Sequence, residues 1–280
     1  MGVALPGSLS PSAMSAFTSC PLAFRFAYLD RLPEPPSPAA SKGTLVHRAL
    51  EQLLDRPASQ RTLANALADL DAARTELAGH PEFELLDLEE DEWRTFHADA
   101  EQLVRRYFEL EDPTTVHPVG LELKLEATVG DTRLRGIIDR LDYDAASGGF
   151  VVTDYKTGSV PSEAFENSRL AGVHVYALLV ERTFGIRPAK VQLYYLSKPE
   201  AIIATSSEQK ITGVERKATA LWNAIARACA RDDFRPSPGR LCDWCTFKPY
   251  CPAHGGEPAL AAELRGPGTV IETELPLVSA

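Results

Sequence analysis

A central mixed β-sheet flanked by helices is the fold class this sequence predicts, an α/β arrangement, and three observations predict it. Helical patterning dominates the chain before Asp112. Three β-branched, apolar stretches then follow at short spacing: Gly120 to Thr128, Thr132 to Tyr143, and Phe150 to Lys156. After them comes a helix, two more strands and a last helix. Runs of helix, meander and helix can bury their apolar faces together only as a sheet with helices packed on it. The helices that precede the sheet are expected to form a cap.

Each element has its own signal. Ser10 before Pro11 is an N-cap and first-turn pair, and opens a helix carrying Met14, Phe17, Leu22, Phe24 and Phe26. Pro21 should divide that helix near Cys20, because proline cannot supply a helical N–H. Arg31 to Ala40 contains four prolines and reads as an extended connector. A helix from Lys42 to about Leu54 puts Gly43 and His47, four apart, on one face. Thr62 to Ala78 and Trp93 to Leu110 are helical, and Asp112-Pro113 ends the second. Between them, Glu82 to Glu92 is an acidic run that reads as a solvated face or loop. Val129-Gly130-Asp131 is a turn, so the first two strands should form an antiparallel hairpin. A second turn, Ala145 to Gly149, joins the second strand to the third. Glu163 to Thr183 is a long helix, Lys190 to Leu196 and Ala201 to Thr205 are strands, and Gln209 to Ala230 is a helix.

The 280 residues, 44% hydrophobic and 24% charged, are enough for a sizeable core. No apolar run approaches the roughly 18 residues of a membrane span. The first residues lack a secretory pattern, so a cytoplasmic location is expected, with no membrane partner. A net charge of −10 argues against a non-specific nucleic-acid coat, although a local basic surface can coexist with it.

Chemistry concentrates in Gly136-Ile-Ile-Asp139-Arg140 and Asp154-Tyr155-Lys156-Thr157-Gly158. Side chains alternate along a strand, so Asp154 and Lys156 share a face, and Asp139 can arrive beside them from the neighbouring strand. A divalent metal held by the two Asp, with Lys156 beside its water, would use this grouping. A surface ion pair is the plainer alternative. Arg140 could neutralise a carboxylate or contact phosphate, and Tyr176 could be a core aromatic or a site residue.

Cys242, Cys245 and Cys251 have the C-x2-C-x5-C spacing that lets thiolates converge on one metal centre. Cys20, also followed by proline, is the natural fourth ligand. Cys229 fits a small core residue better. Four thiolates suit either structural zinc or an iron–sulfur cluster, and either would tie the N-terminal helix to the C-terminal end.

Taken together, Gly43-x3-His47, Gly136-x2-Asp139-Arg140, Asp154-x-Lys156-Thr-Gly158, an N-terminal Cys and a C-terminal Cys triplet resemble the RecB-like nucleases of the PD-(D/E)XK superfamily. The likeness is greatest to the stand-alone bacterial RecB-family exonucleases with an iron–sulfur cluster, and runs from about Ser10 to Pro252. It implies a restriction-endonuclease-like fold and a single nuclease domain over 1–255. Within it, 10–115 would be mainly a helical cap, 116–230 the nuclease core and 231–255 the Cys region, with 256–280 a weakly ordered tail. It implies a deoxyribonuclease using Mg2+ or Mn2+, acting on single-stranded DNA or DNA ends in repair or recombination. His47, Asp139, Asp154 and the Tyr155 carbonyl would ligate the metal. Lys156 would orient or deprotonate the attacking water and stabilise charge at phosphate. Cys20, Cys242, Cys245 and Cys251 would hold a 4Fe-4S cluster, with zinc as the alternative. Gly43, Arg140 and Tyr176 would support the site.

One position departs from the pattern. These nucleases often carry Gln four residues before the helix Tyr, where this chain has Gly172, so that role is absent, relaxed, or taken by another residue such as Arg169 or His174. The chain has no G-x4-GK-[ST] loop, so coupling to unwinding would need a helicase partner. The alternative function is a non-catalytic module that binds DNA or such a helicase on the same fold.

Overall fold

The structure, a computed structural model, describes residues 3–144 and 148–264. Its helices are α1 (Pro11–Ser19), α2 (Pro21–Phe24), α3 (Pro38–Asp55), α4 (Leu63–Leu77), α5 (Pro81–Glu84), α6 (Glu90–Leu110), α7 (Glu163–Phe184), α8 (Glu208–Arg231) and α9 (Pro258–Glu263). Its strands are β1 (Pro118–Val129), β2 (Thr132–Asp144), β3 (Gly149–Lys156), β4 (Lys190–Tyr195) and β5 (Glu200–Thr205). The chain divides into two compact units, one of residues 36–219 and one of residues 1–35 with 220–280. The helices before the sheet are shared between them: α1 and α2 belong to the second unit, α3 to α6 to the first.

In the 36–219 unit the five strands form one mixed sheet in the order β1-β2-β3-β4-β5. β1 and β2 pair antiparallel with Val129 opposite Thr132, across a turn whose Gly130 has φ +57°. That left-handed conformation is open to glycine without steric penalty. β2 and β3 are antiparallel with Arg140 opposite Thr153. Residues 145–147 of the turn expected between them lie outside the described residues. β3 and β4 are parallel, joined through α7, and β5 returns antiparallel along β4. β3 is central, and Val151 to Tyr155 are all buried, as a strand covered on both faces requires. The sequence-predicted restriction-endonuclease-like class, a mixed sheet with helices on it, is the observed one.

The helices pack as their stripes dictate. Leu45, Val46, Ala49, Leu50, Leu53 and Leu54 form the buried side of α3, which meets α4, α6 and β1. α3 begins at Pro38, earlier than the connector composition suggests, because proline is pre-organised for the first helical turn. The acidic run also finds a structural use. Glu89 and Glu92 make a capping box at the start of α6, and Glu90 and Asp91 lie in its first turn. Negative charge there faces the positive end of the helix dipole.

In the other unit, Ser10 Oγ accepts from Ala13 N at 3.2 Å and caps α1. Cys20 is extended (φ −156°), so the helix breaks where Pro21 requires. α2 then runs into a π-turn, Arg25–Leu29, whose Phe26 packs on Phe247 (5.6 Å) and Tyr250 (6.0 Å). Beyond α8 the chain makes short 3-10 turns, Arg240–Trp244 and Lys248–Tyr250. α9 occupies part of a tail whose composition predicts little order, and 265–280 lie outside the described residues.

Candidate active site

Four elements of the 36–219 unit bring five titratable groups to the end of the central strands: His47 from α3, Glu122 from β1, Asp139 from β2, and Asp154 and Lys156 from β3. The β1–β2 register pairs Leu121 with Arg140 and Leu123 with Ile138, so Glu122 lies opposite Asp139. Two carboxylates facing each other across a ladder repel. Glu122 also has φ +44°, a left-handed conformation unusual for a side chain of its size and a mark of stored strain. From α3, His47 places Nδ1 3.5 Å from Asp139 Oδ2 and 4.0 Å from Glu122 Oε1. One donor atom from each of His47, Glu122 and Asp139 lies within 4.8 Å of the others. An imidazole with hard carboxylate oxygens is a donor set that suits Mg2+ or Mn2+.

Tyr155 organises this group through its backbone. Its N–H donates to Asp139 Oδ2 at 2.7 Å, and its carbonyl oxygen lies 3.1 Å from His47 Nε2. A carbonyl can only accept, so Nε2 carries a proton, and Nδ1 is the ring nitrogen turned toward the carboxylates. A histidine whose second nitrogen is held by a backbone carbonyl is a recurrent metal-ligand arrangement. In this structure the Tyr155 carbonyl, expected as a ligand, is thus engaged with His47.

Extending the β2–β3 register places Asp139 opposite Asp154, whose Oδ2 pairs with Lys156 Nζ. Asp154 is 4% exposed, and burial, then the Asp139 charge, raise its pKa to about 6 against the pull of Lys156. Burial, then Asp139, Glu51 and Asp154, push Glu122 to about 8. Burial would lower the Lys156 ammonium, but Asp154 and Asp139 outweigh it and raise its pKa. Lys156 is therefore a cation at neutral pH, suited to stabilising negative charge more than to removing a proton. Such crowding of like charge is what a cation-binding site looks like without its cation.

Two of the three motif glycines, Gly136 and Gly43, have steric reasons, whereas a Cβ on Gly158 would meet nothing within 4 Å. A Cβ on Gly136 would lie 2.7 Å from Tyr176 Cε1. A Cβ on Gly43 would lie 3.3 Å from Thr157 Oγ1, where α3 meets the chain following β3. The Tyr176 hydroxyl has its pKa raised by burial and then by Asp154, Asp139 and Glu122, so it faces the carboxylates. His174 does not: it is buried, with Lys210 as its charged neighbour. Arg169 acts on Tyr195 together with Lys156, toward the same end of the sheet.

Arg140 corrects one expectation. It is 1% exposed, so it contacts no phosphate. Its guanidinium pairs with Glu111 and with Asp142 Oδ2 (2.8 Å), and donates to Tyr155 OH (2.7 Å) and Thr153 Oγ1 (3.3 Å). Of its two expected roles, neutralising a carboxylate is the one its position allows.

In the other unit, Cys20 Sγ accepts from Ser237 N (3.4 Å) and Cys242 Sγ from Gly239 N (3.3 Å). Burial raises the Cys245 pKa, and Cys20, Cys242 and Cys251 push it the same way against the Phe247 N–H. The four thiols are thus neighbours, yet among the described residues no three bring their sulfurs within 4.8 Å of one another. A tetrahedral zinc, with Zn–S of about 2.3 Å, needs sulfurs about 3.8 Å apart. Cys229 is buried elsewhere, near the Ala4 carbonyl (3.8 Å).

Comparisons with known proteins bear on the family and the fold. The Gene 69 protein of Mycobacterium phage D29 is 26% identical over 267 residues, covering 87% of this chain and 96% of that one. Its counterpart from Mycobacterium phage L5 is 24% identical over 290 residues, with 87% and 95% covered. The crystal structure of a presumed exonuclease from Eubacterium rectale shares the fold with a TM-score of 0.53 at 13% identity, covering 85% and 86%. A family model described as the PD-(D/E)XK nuclease superfamily matches residues 8–252. With that match spanning most of its length, the chain belongs to the PD-(D/E)XK nuclease superfamily.

Proposed function

We propose that this nuclease is a divalent-cation-dependent deoxyribonuclease that hydrolyses phosphodiester bonds at DNA ends or in single strands, in repair or recombination. The observation that carries the reading is the convergence of His47, Glu122 and Asp139 beside the Asp154–Lys156 pair. Those three side chains would hold the metal, with Asp154 next to them and Tyr155 fixing both His47 and Asp139. A bound Mg2+ or Mn2+ would supply Lewis acidity toward phosphate and a more acidic water. Lys156, kept cationic by Asp154, would stabilise the charge that develops on the phosphate oxygens. Asp139 and Asp154 would hold their charge toward the cation, and Tyr176 would limit the space around it. The intact carboxylate and lysine set favours catalysis over a binding module. A helicase partner would supply unwinding where the substrate is duplex.

Cys20, Cys242, Cys245 and Cys251 would hold a 4Fe-4S cluster. What supports it over zinc is the wide spacing of thiols that still sense one another, and the backbone N–H groups donated to two of the sulfurs.

The test is cleavage of end-labelled linear and circular single-stranded DNA, with Mg2+, Mn2+ or a chelator. We expect metal-dependent shortening of linear strands and at least a hundredfold loss in Asp154→Ala and Lys156→Ala, both still folded. Activity surviving both substitutions sinks the assignment. Cut circles would replace the end-directed reading by an endonucleolytic one.

A further inference from the structure

The Cys region carries a feature that holding a cluster does not explain. Trp244 is 76% exposed, and Leu241, three residues before it in the same 3-10 turn, is 70% exposed. A large aromatic laid open to water loses the hydrophobic gain of burial, so it calls for an occupant. The turn that carries it is anchored from below. Phe247 is buried against Phe26, Cys242 and Cys245 flank the tryptophan, and Cys242 Sγ is held by Gly239 N.

The charge around the ring names the occupant. Arg240 begins the Trp244 turn and is exposed. Lys248 Nζ donates to the Asp243 carbonyl at 3.0 Å, which sets an ammonium beside the backbone next to Trp244. Between Phe234 and Pro252 the basic residues are Arg235, Arg240 and Lys248, and the acidic one is Asp243. Arg235 pairs with Asp233 and Thr246 Oγ1 donates to Glu34 (3.2 Å), so the cations of the Trp244 turn and of the turn after it are Arg240 and Lys248. An open indole face with cations close by in the chain can stack a nucleobase while the cations hold its phosphates. A protein partner would gain from Leu241 and Trp244 but would not call for the cations.

We propose that Trp244, with Arg240 and Lys248, is a stacking platform for a base of single-stranded nucleic acid. The ligand class rests on the nuclease reading above, but the platform needs no turnover. It binds with little sequence preference, because every base offers a π-face, and it weakens with salt through the two cations.

The experiment is binding of fluorescein-labelled (dT)20 to the full-length protein under anaerobic conditions in a chelating buffer, which removes the divalent ions that cleavage needs. Base–aromatic stacking contributes about 1–3 kcal/mol, so Trp244→Ala should weaken binding by roughly 5- to 150-fold. Trp244→Phe should keep most of the affinity, and Trp244→Leu should behave like Trp244→Ala. Quenching of intrinsic fluorescence by unlabelled (dT)20 should be lost in Trp244→Leu, although Trp93 and Trp222 remain. Bound-metal content and thermal midpoint, measured alongside, identify a variant that has merely failed to fold, and the Phe and Leu pair then decides. Equal affinity of the wild type and a folded Trp244→Ala overturns the proposal, as does full affinity with Leu. Loss of a protein contact with unchanged DNA affinity overturns it in favour of a protein-docking face. Trp244-dependent binding with no cleavage at any divalent ion would sink the nuclease reading and leave the platform standing. Cleavage with Trp244-indifferent binding would do the reverse.

Discussion

Glu122 on β1 and Asp139 on β2 bring carboxyl oxygens within 4.8 Å of each other, with His47 Nδ1 beside both. Nothing in a metal-free sheet rewards that pairing. The repulsion and the left-handed backbone at Glu122 are offset when a cation sits among the three side chains.

Glu122→Gln should therefore move two quantities in opposite directions. Burial and Asp139 raise the Glu122 pKa to about 8, which costs the folded chain at neutral pH; Gln escapes that cost, so the chelated protein should gain on the order of 1 kcal/mol, a rise of about 2–4 °C in thermal midpoint. A donor is weakened, so Mn2+ affinity measured by calorimetry should fall by tenfold or more. A variant that binds Mn2+ as the wild type does removes Glu122 from the site.

Gly136→Ala tests the contact with Tyr176. The new Cβ would be driven into the ring, an overpacking that costs about 1–3 kcal/mol. Shortening the partner should relieve it, so Gly136→Ala with Tyr176→Ala should lose less stability than the two single changes added together. Simple additivity in denaturant titrations would show that the glycine is there for another reason.

His174 makes the stability of the 36–219 unit sensitive to acid. It is 8% exposed, its Nδ1 has no hydrogen-bond partner among the described residues, and burial and then Lys210 lower its pKa. Below pH 6.5 the unfolded chain takes up a proton that the folded histidine refuses, so stability present above that pH is lost as pH falls through it. His174→Leu should melt higher than the wild type at pH 5.5, by a margin that shrinks at pH 7.5. A margin independent of pH would assign the acid sensitivity to other groups, among them His97, whose pKa is lowered in the same sense.

Cys245→Ser and Cys229→Ser separate cluster thiols from core thiols. Elemental analysis of anaerobically purified protein should show iron at near four per chain in the wild type and in Cys229→Ser, and a large loss in Cys245→Ser. Zinc at one per chain, without absorbance near ~400 nm, would replace the iron–sulfur assignment by a structural zinc.

The strands and most of the site could be read from the sequence because each lay in a short, strongly patterned run. His47 announced itself by its spacing from Gly43, and Asp154 and Lys156 by strand alternation. Glu122 did not, since Glu122, Lys124 and Glu126 look alike along an alternating strand. The signal was nonetheless present. Counting back from the turn, with Val129 opposite Thr132, brings Glu122 opposite Asp139. Arg140 was legible by the same rule: one residue from Asp139, it must leave the strand on the other face, toward Tyr155 and Glu111. The family resemblance implied a backbone role for Tyr155 as a ligand; what the sequence could not reveal is that its N–H would hold Asp139 and its carbonyl His47, because any residue type carries those two groups.

The hydrogen bond between His47 and the Tyr155 carbonyl closes a loop of 108 residues. Contacts that distant are made late, after the local helices and the hairpin have formed, because their closure entropy must be met first. The parallel pairing of β3 with β4 likewise waits for α7 to cross between them. Half-made chains leaving the ribosome would thus carry the residues of the candidate site without its geometry. In a member of a nuclease superfamily, that order of folding would act as a safety catch: the site is assembled only with the last long-range closure.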